Sequence, residues 1–252
     1  MRLPIFLLCL LAAAPAPAAD PAPVALPPAQ AFAAPRPLEP FVASYQAYNG
    51  GDLAGTATMR VVESGGGRWR VDLDIRGNRG FAGLVRLNID QSTVFDVAGG
   101  HYRPLSQGTV RKALLFGRET VGTYDWTTRT ARWTGDVKKE RRAPVALQDG
   151  DMSGLLINLA IMRDAAPGKA LAYRFVDGGR VRQHEYLAAP ATERIEVGEL
   201  SYEALRVSRS NGGNDEMIVW IADGVPTPVR ILQRENGEDA IDLQLIEYQG
   251  VQ

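Results

Sequence analysis

The sequence predicts a mainly β protein: a single strongly curved antiparallel sheet, a half-open barrel, wrapped on one central α-helix. Three observations predict it. Apolar and polar residues alternate through about a dozen segments separated by glycine-rich turns, the period of strands with one face buried and one face wet. One stretch, 151–163, breaks that rhythm with apolar residues at helical spacing. That helix has too little polar surface to lie on an exterior, so the hollow of a bent sheet is its simplest seat.

Residues 1–19 read as an export signal. Arg2 gives a positive start, 3–14 form a short apolar run, and Ala16-Pro17-Ala18 or Pro17-Ala18-Ala19 offers small residues for cleavage. The run is shorter than the ~20 apolar residues that span a bilayer, and no later stretch approaches that length, so no transmembrane segment is expected. Cys9 is the only cysteine and follows Leu8 rather than the small residue that lipid attachment needs. Cleavage therefore leaves no thiol for disulfides, metal sites or nucleophilic chemistry. Residues 20–40 are rich in Pro and Ala without periodicity, a disordered lead-in expected to pack on nothing.

From Phe41 the alternation begins, and residues 41–250 are expected to form one domain. Phe41, Ala43, Tyr45 and Ala47 share a face, and after the turn at 49–52 so do Leu53, Ala57, Met59 and Val61. Trp69, Val71, Leu73 and Ile75 then alternate with Arg and Asp in the cleanest strand of the chain. Residues 84–97 return to strand, 113–116 cross or cover an edge, and Thr120, Gly122, Tyr124 and Trp126 share a face that returns through Ala131 and Trp133. The charge run 138–142 is expected to be a solvated turn, with an anionic partner as the alternative.

The helix follows. Met152, Leu155, Leu156, Leu159 and Met162 fall on one stripe, which Ile157 and Ile161 widen. Asp149 or Asp151 is placed to accept from the free N–H groups at its start, Arg163 suits its negative end, and Pro167-Gly168 stop it. Strands resume at 171–175, 181–187, 192–197, 202–207, 217–221 and 229–234. The last hairpin turns at Asn236-Gly237, a pair that favours the tight turn with positive φ at both residues. Apolar residues hold 241, 243 and 245 and then shift to 246 and 248, which predicts a bulge near Leu245-Ile246.

Composition excludes more than it assigns. The 252 residues are 45% hydrophobic and 23% charged with a formal net charge of -1, so one soluble domain is expected and there is no field to gather nucleic acid. The two histidines, His101 and His184, stand apart, and His184-Glu185 lacks the second histidine of a zinc helix and reads as surface. Capping accounts for Asp151-Met152-Ser153 better than a nucleophilic Ser153 does. Asp72 and Asp74 share a strand face with arginines, which makes a wet charged surface rather than an acid-base pair. No catalytic residue, metal site or cofactor is expected. The tryptophans carry the remaining interest: with helix residues Leu155, Leu156, Leu159 and Met162, strand residues Trp126, Trp133 and Trp220 either fill the core or line a hollow for an apolar ligand.

Several residues in order carry a resemblance. Tyr124-Asp125-Trp126, Asp151-Met152-Ser153-Gly154-Leu155 opening a helix, and Val219-Trp220-Ile221 leading to Pro226-Thr227-Pro228-Val229-Arg230-Ile231 resemble an exported family of Gram-negative bacteria, DUF3108, over roughly residues 41–248. That resemblance implies a periplasmic location and no assigned activity. The C-terminal pattern is also similar to the half-open barrels of periplasmic lipoprotein-localisation carriers, which have several helices where this chain predicts one. Together these readings give an expectation of a non-enzymatic periplasmic protein that binds a lipid or other hydrophobic ligand in envelope maintenance. The alternative is a structural or interaction module with a filled core that binds another envelope protein.

Overall fold

The computed structural model describes residues 36–78, 88–113 and 116–250. The expected export signal and most of the Pro/Ala-rich lead-in lie outside the described residues, as do 84–87 of one expected strand. The strands are β1 (Phe41–Asn49), β2 (Asp52–Gly65), β3 (Arg68–Gly77), β4 (Asn88–Ala98), β5 (His101–Ala113), β6 (Phe116–Asp125), β7 (Thr130–Gly135) and β8 (Val145–Ala146), then β9 (Ala170–Asp177), β10 (Arg180–Ala188), β11 (Glu193–Val197), β12 (Leu200–Arg209), β13 (Glu216–Ala222), β14 (Arg230–Glu235) and β15 (Glu238–Gly250). The helix α1 (Gly154–Asp164) separates the two groups.

All these strands join one antiparallel sheet in the order β8-β7-β6-β5-β4-β3-β2-β1-β15-β14-β13-β12-β10-β9, with β11 paired to the start of β12. Short turns make most sequence neighbours spatial neighbours, β10 pairing with β12 past β11 being an exception, and the pairing of β1 with β15 joins the two groups. Strand pairing does not close the sheet. Residues 145–152 instead run between its end strands: β8 pairs with β7, and Met152 forms a parallel bridge to Phe175, donating its N–H to the Arg174 carbonyl at 2.9 Å while its own carbonyl accepts from Val176 at 2.9 Å.

The buried rows follow the alternation. Phe41, Ala43, Tyr45 and Ala47 are all buried, as are Val71, Leu73 and Ile75, and they pack with Leu155, Leu156, Leu159 and Ile161 of α1 in one apolar core. The helix touches β3, β4, β5 and β9 and buries every residue from Leu155 to Met162. The expected bulge is present: Ser44 pairs with Glu247 and Tyr45 with Leu245, which leaves Ile246 as the extra residue. Asn236 and Gly237 take φ of 53° and 85°, the geometry expected of their two-residue turn.

Five expectations are corrected. The helix begins at Gly154 rather than 151, because Met152 is held extended by its bridge to β9. Neither Asp149 nor Asp151 caps it: Asp151 is bound by Arg174, and Asp149 meets Arg129 at the surface. Leu53 is 57% exposed, since Tyr48 pairs with Leu53 and Ala47 with Gly55, so Ala54 is an extra residue that throws Leu53 to the outer face. Ala113 pairs with Phe116, so these two residues belong to the antiparallel pairing of β5 with β6 rather than to an edge crossing. The lead-in does pack at its end: Leu38 lies against the core, and Arg36 donates to the Ala222 carbonyl at 3.1 Å.

Candidate functional site

The seven residues expected to line an apolar hollow do not come together. Leu155, Leu156, Leu159 and Met162 share the main core with Trp220, whereas Trp126 and Trp133 belong to a second cluster with Tyr124, Ala131, Val137, Leu147 and Val176. Trp133 is 1% exposed, its ring edge-on to Tyr124 at 5.6 Å. Trp126 is partly buried and donates from Nε1 to the Pro104 carbonyl at 2.7 Å. Trp220 donates to Glu193 at 2.6 Å and lies under the Arg230 guanidinium. These contacts are those of packed core residues.

An apolar groove does exist, at the C-terminal end of α1. It has a volume of about 600 Å³ and is walled by Leu38, Trp69 of β3, Val97 of β4 and Tyr102 of β5, with Arg36, His101, Arg163 and Asp164 at its rim. The buried face of β4 runs Thr93, Phe95, Val97, and only its last member, 49% exposed, emerges into the groove. Tyr102 supports it from below, edge-on to the fully buried Phe95 at 5.4 Å.

The charged groups at that rim are already occupied. Arg163 donates Nε and one terminal nitrogen to the two carboxylate oxygens of Asp164 at 2.6 and 2.7 Å, and its other terminal nitrogen to the Gly100 carbonyl at 2.7 Å. Its plane stacks over Tyr102 at 4.5 Å. The Asp164 hydrogen bond raises the Arg163 pKa, and burial raises that of Tyr102, so the rim keeps a protonated arginine and a neutral phenol. Asp164 also accepts from Tyr173 at 3.1 Å. Arg36, on the same groove, is engaged by the Ala222 carbonyl and Asp223, which leaves Leu38, Trp69, Val97 and the exposed His101 as its open surface.

Among the described residues, no three His, Cys, Asp or Glu side chains cluster as metal ligands. Asp72 is paired with Arg70, and Asp74 and Asp90 with Arg76, which makes the expected charged wet face. His184 departs from its surface reading: its ring stacks on Phe175 at 4.8 Å, and burial, then Arg209 and Arg182, lower its pKa to about 4. Sequence reasoning placed Trp69 on a strand but missed the groove. The groove's signal was the glycine pair 99–100, which turns β4 into β5 just after Val97 has left the buried row.

Fold and groove define a class: an antiparallel β protein with one described helix, a filled core and an apolar groove at the helix end. No described helix is long and apolar enough to cross a membrane. The chain belongs to the family described as "Protein of unknown function (DUF3108)", whose model matches residues 44–244. Among solved structures it is similar to a beta-barrel-like protein of domain of unknown function DUF1849 from Brucella abortus, with 12% identity, a TM-score of 0.45, and coverage of 85% of this chain and 98% of that one. None of the curated proteins matches it.

The residues that carry the family resemblance mostly hold the architecture. Tyr124 donates to the Val176 carbonyl at 2.7 Å, Thr227 meets the buried Tyr45 hydroxyl, and Arg230 grips Asp242 through two contacts of 2.9 Å. Asp151 with Arg174 ties the helix lead-in to β9.

Proposed function

We propose that this is an exported, periplasmic, non-enzymatic protein that binds a lipid or similar hydrophobic ligand in maintenance of the cell envelope. The carrying observation is the groove of about 600 Å³ walled by Leu38, Trp69, Val97 and Tyr102. Its volume falls within the roughly 300–1,000 Å³ of small-molecule sites, and its charged groups Arg163, Asp164 and Arg36 all have carboxylate or guanidinium partners, which suits an apolar chain over a charged head. We read the sheet as bent around α1, because β9 stands last in the strand order yet touches the same helix as β3, β4 and β5. That bend would leave the ends of the inner rows as mouths, and the groove is one of them.

The test is binding of a fluorescent fatty acid to the purified protein, with mass spectrometry of organic extracts from the same preparation. The expected result is saturable binding that Trp69→Ala weakens and Val97→Asp abolishes. Binding unaffected by both variants, or no binding and no extracted lipid, removes the reading. A second reading, an envelope interaction module, is favoured by the packing of Leu156, Ile161 and Trp133 to 1% exposure or less, which leaves the predicted central hollow filled. It predicts no ligand and a protein partner recovered by crosslinking in intact cells.

A further inference from the structure

The buried face of the sheet is apolar over β1, β2 and β3 but changes character at the N-terminal end of α1. Opposite Ile75, Leu73 and Val71 of β3 stand Ile89, Gln91 and Thr93 of β4, and opposite these stand Arg111, Thr109 and Gln107 of β5. The next strand continues the row with Arg118, Thr120 and Gly122 of β6. Side chains two apart share a face, so a patch of threonine, glutamine and arginine occupies positions where the rest of the sheet presents core. A crevice of about 300 Å³ opens on it, sharing Thr109 and Asp177 with a smaller recess that reaches Thr93 and Gly154.

Four cations line that crevice: Arg111, Arg118, Lys138 and Arg141. None is in an ion pair with a carboxylate among the described residues. Arg111 and Arg118 are direct cross-strand partners, an arrangement in which like charges repel. Lys138 and Arg141 come from the loop after β7, which is fixed in place. Arg142 donates to the carbonyls of Val137 and Gly135, and the Arg141 carbonyl lies so close to Gly179 that a Cβ there would sit 2.0 Å from it. The two carboxylates present are engaged: Asp136 accepts the Glu119 N–H at 2.7 Å, and Asp177 accepts from Gln107. Two positive charges are thus in excess over a floor of threonine hydroxyls, in a chain whose formal net charge is -1.

We propose that this crevice binds a phosphate monoester. Guanidinium forks match phosphate oxygens, the threonines supply neutral donors, and the excess of two charges suits a dianion better than a carboxylate or a phosphodiester. An anion between Arg111 and Arg118 offsets the repulsion between these two like charges. The site is independent of the apolar groove and stands whether or not the groove holds lipid.

The test uses isothermal titration of the protein with inorganic phosphate and with glycerol 3-phosphate at constant ionic strength, and flotation with vesicles of phosphatidylcholine with or without phosphatidic acid. Expected is binding to the soluble ester, to the phosphatidic acid vesicles, or to both; the first identifies a water-soluble ligand and the second a lipid-borne one. Arg111→Gln should weaken that binding about tenfold or more, since each charge-assisted bond lost is worth about that factor. The same variant should melt higher than wild type without ligand, because the like-charge pair is gone, and gain less on adding phosphate ester. Lys138→Gln should weaken binding without the rise in melting temperature. The proposal is overturned if wild type binds neither probe, if chloride at equal ionic strength competes as well as phosphate, or if both variants bind as wild type does. Trp69→Ala should leave phosphate binding intact, which separates this result from the fate of the groove.

Discussion

Cutting the tie between Asp151 and Arg174 should unfold the seam between the helix lead-in and β9, and the two ways of cutting it should differ. The Asp151 side chain is 0% exposed and that of Arg174 is 23% exposed. One terminal nitrogen of Arg174 lies 2.6 Å from Oδ1 and also reaches Oδ2, which in turn accepts the Gln148 N–H at 2.8 Å. Removing one partner of a buried pair costs about 3–5 kcal/mol, because the charge left behind keeps its desolvation and loses its compensation. Asp151→Ala strands a guanidinium that water can still reach and that keeps a 3.3 Å contact to the Ala146 carbonyl, so the low end, about 3 kcal/mol, is expected. Arg174→Met strands a carboxylate with no access to solvent and one backbone donor, so about 4–5 kcal/mol is expected. The double variant Asp151→Leu/Arg174→Met should cost much less than the sum, since an apolar pair of similar volume leaves no charge unpaired. Urea unfolding followed by far-ultraviolet circular dichroism at a fixed pH reads all four proteins. If each single change costs less than about 1 kcal/mol, or if Asp151→Ala is the more damaging, the accounting from burial is wrong.

Two further perturbations test the packing beside that seam. A Cβ at Gly122 would lie 2.6 Å from Trp133 Nε1 and 2.9 Å from Gln107 Cγ, so Gly122→Ala should lower stability by about 1–3 kcal/mol. Gly108→Ala, with its nearest atom at 3.8 Å, is the control and should melt close to wild type; equal melting temperatures for the two would contradict the overpacking. His184 is held neutral in the fold, its pKa lowered from 6.5 to about 4 by burial and by Arg209 and Arg182. The unfolded chain therefore binds the extra proton first as pH falls, and stability present above 6.5 should be lost between 6.5 and about 4. Allowing for the solvent that reaches the ring, the loss is about 1–2 kcal/mol. His184→Phe should remove that part of the slope in urea midpoints measured from about pH 7.5 to about pH 4.5, and an unchanged slope would assign it to other groups.

The antiparallel sheet, the helix and the terminal hairpin could be read from the chain because each rests on local signals. Asn236-Gly237 dictates its own turn, and the phase change after Leu245 records the bulge at Ile246 directly. The misread helix start has the opposite cause. Asp151 looks like a cap from its neighbours, but its partner Arg174 lies 23 residues away on β9, and Met152 is drawn into a strand bridge by the same element. Likewise, the Ala54 bulge sits in a run of small residues that shows no change of phase, so nothing marked Leu53 as outward. For the candidate site, alternation says which face a tryptophan takes but not where along a fifteen-stranded sheet it stands. Trp133 and Trp220 both face inward and belong to different clusters.

Both candidate binding places share one origin. An inward row of side chains is core only as far as the helix covers it, and α1 is 11 residues long, about 16 Å, while β4 and β5 run 11 and 13 residues. At about 3.3 Å per residue those strands outreach the helix at both ends, so their terminal inward residues cannot be buried by it. Val97, 49% exposed, is such a residue at one end, and it is apolar. Thr109 and Arg111 are such residues at the other, and they are polar and cationic. A chain needing only a filled core would place solvent-tolerant residues at both ends. The asymmetry, greasy at the helix C-terminus and cationic at its N-terminus, is what a core alone does not require, and it is the reason to look for ligands at the mouths rather than beneath the helix.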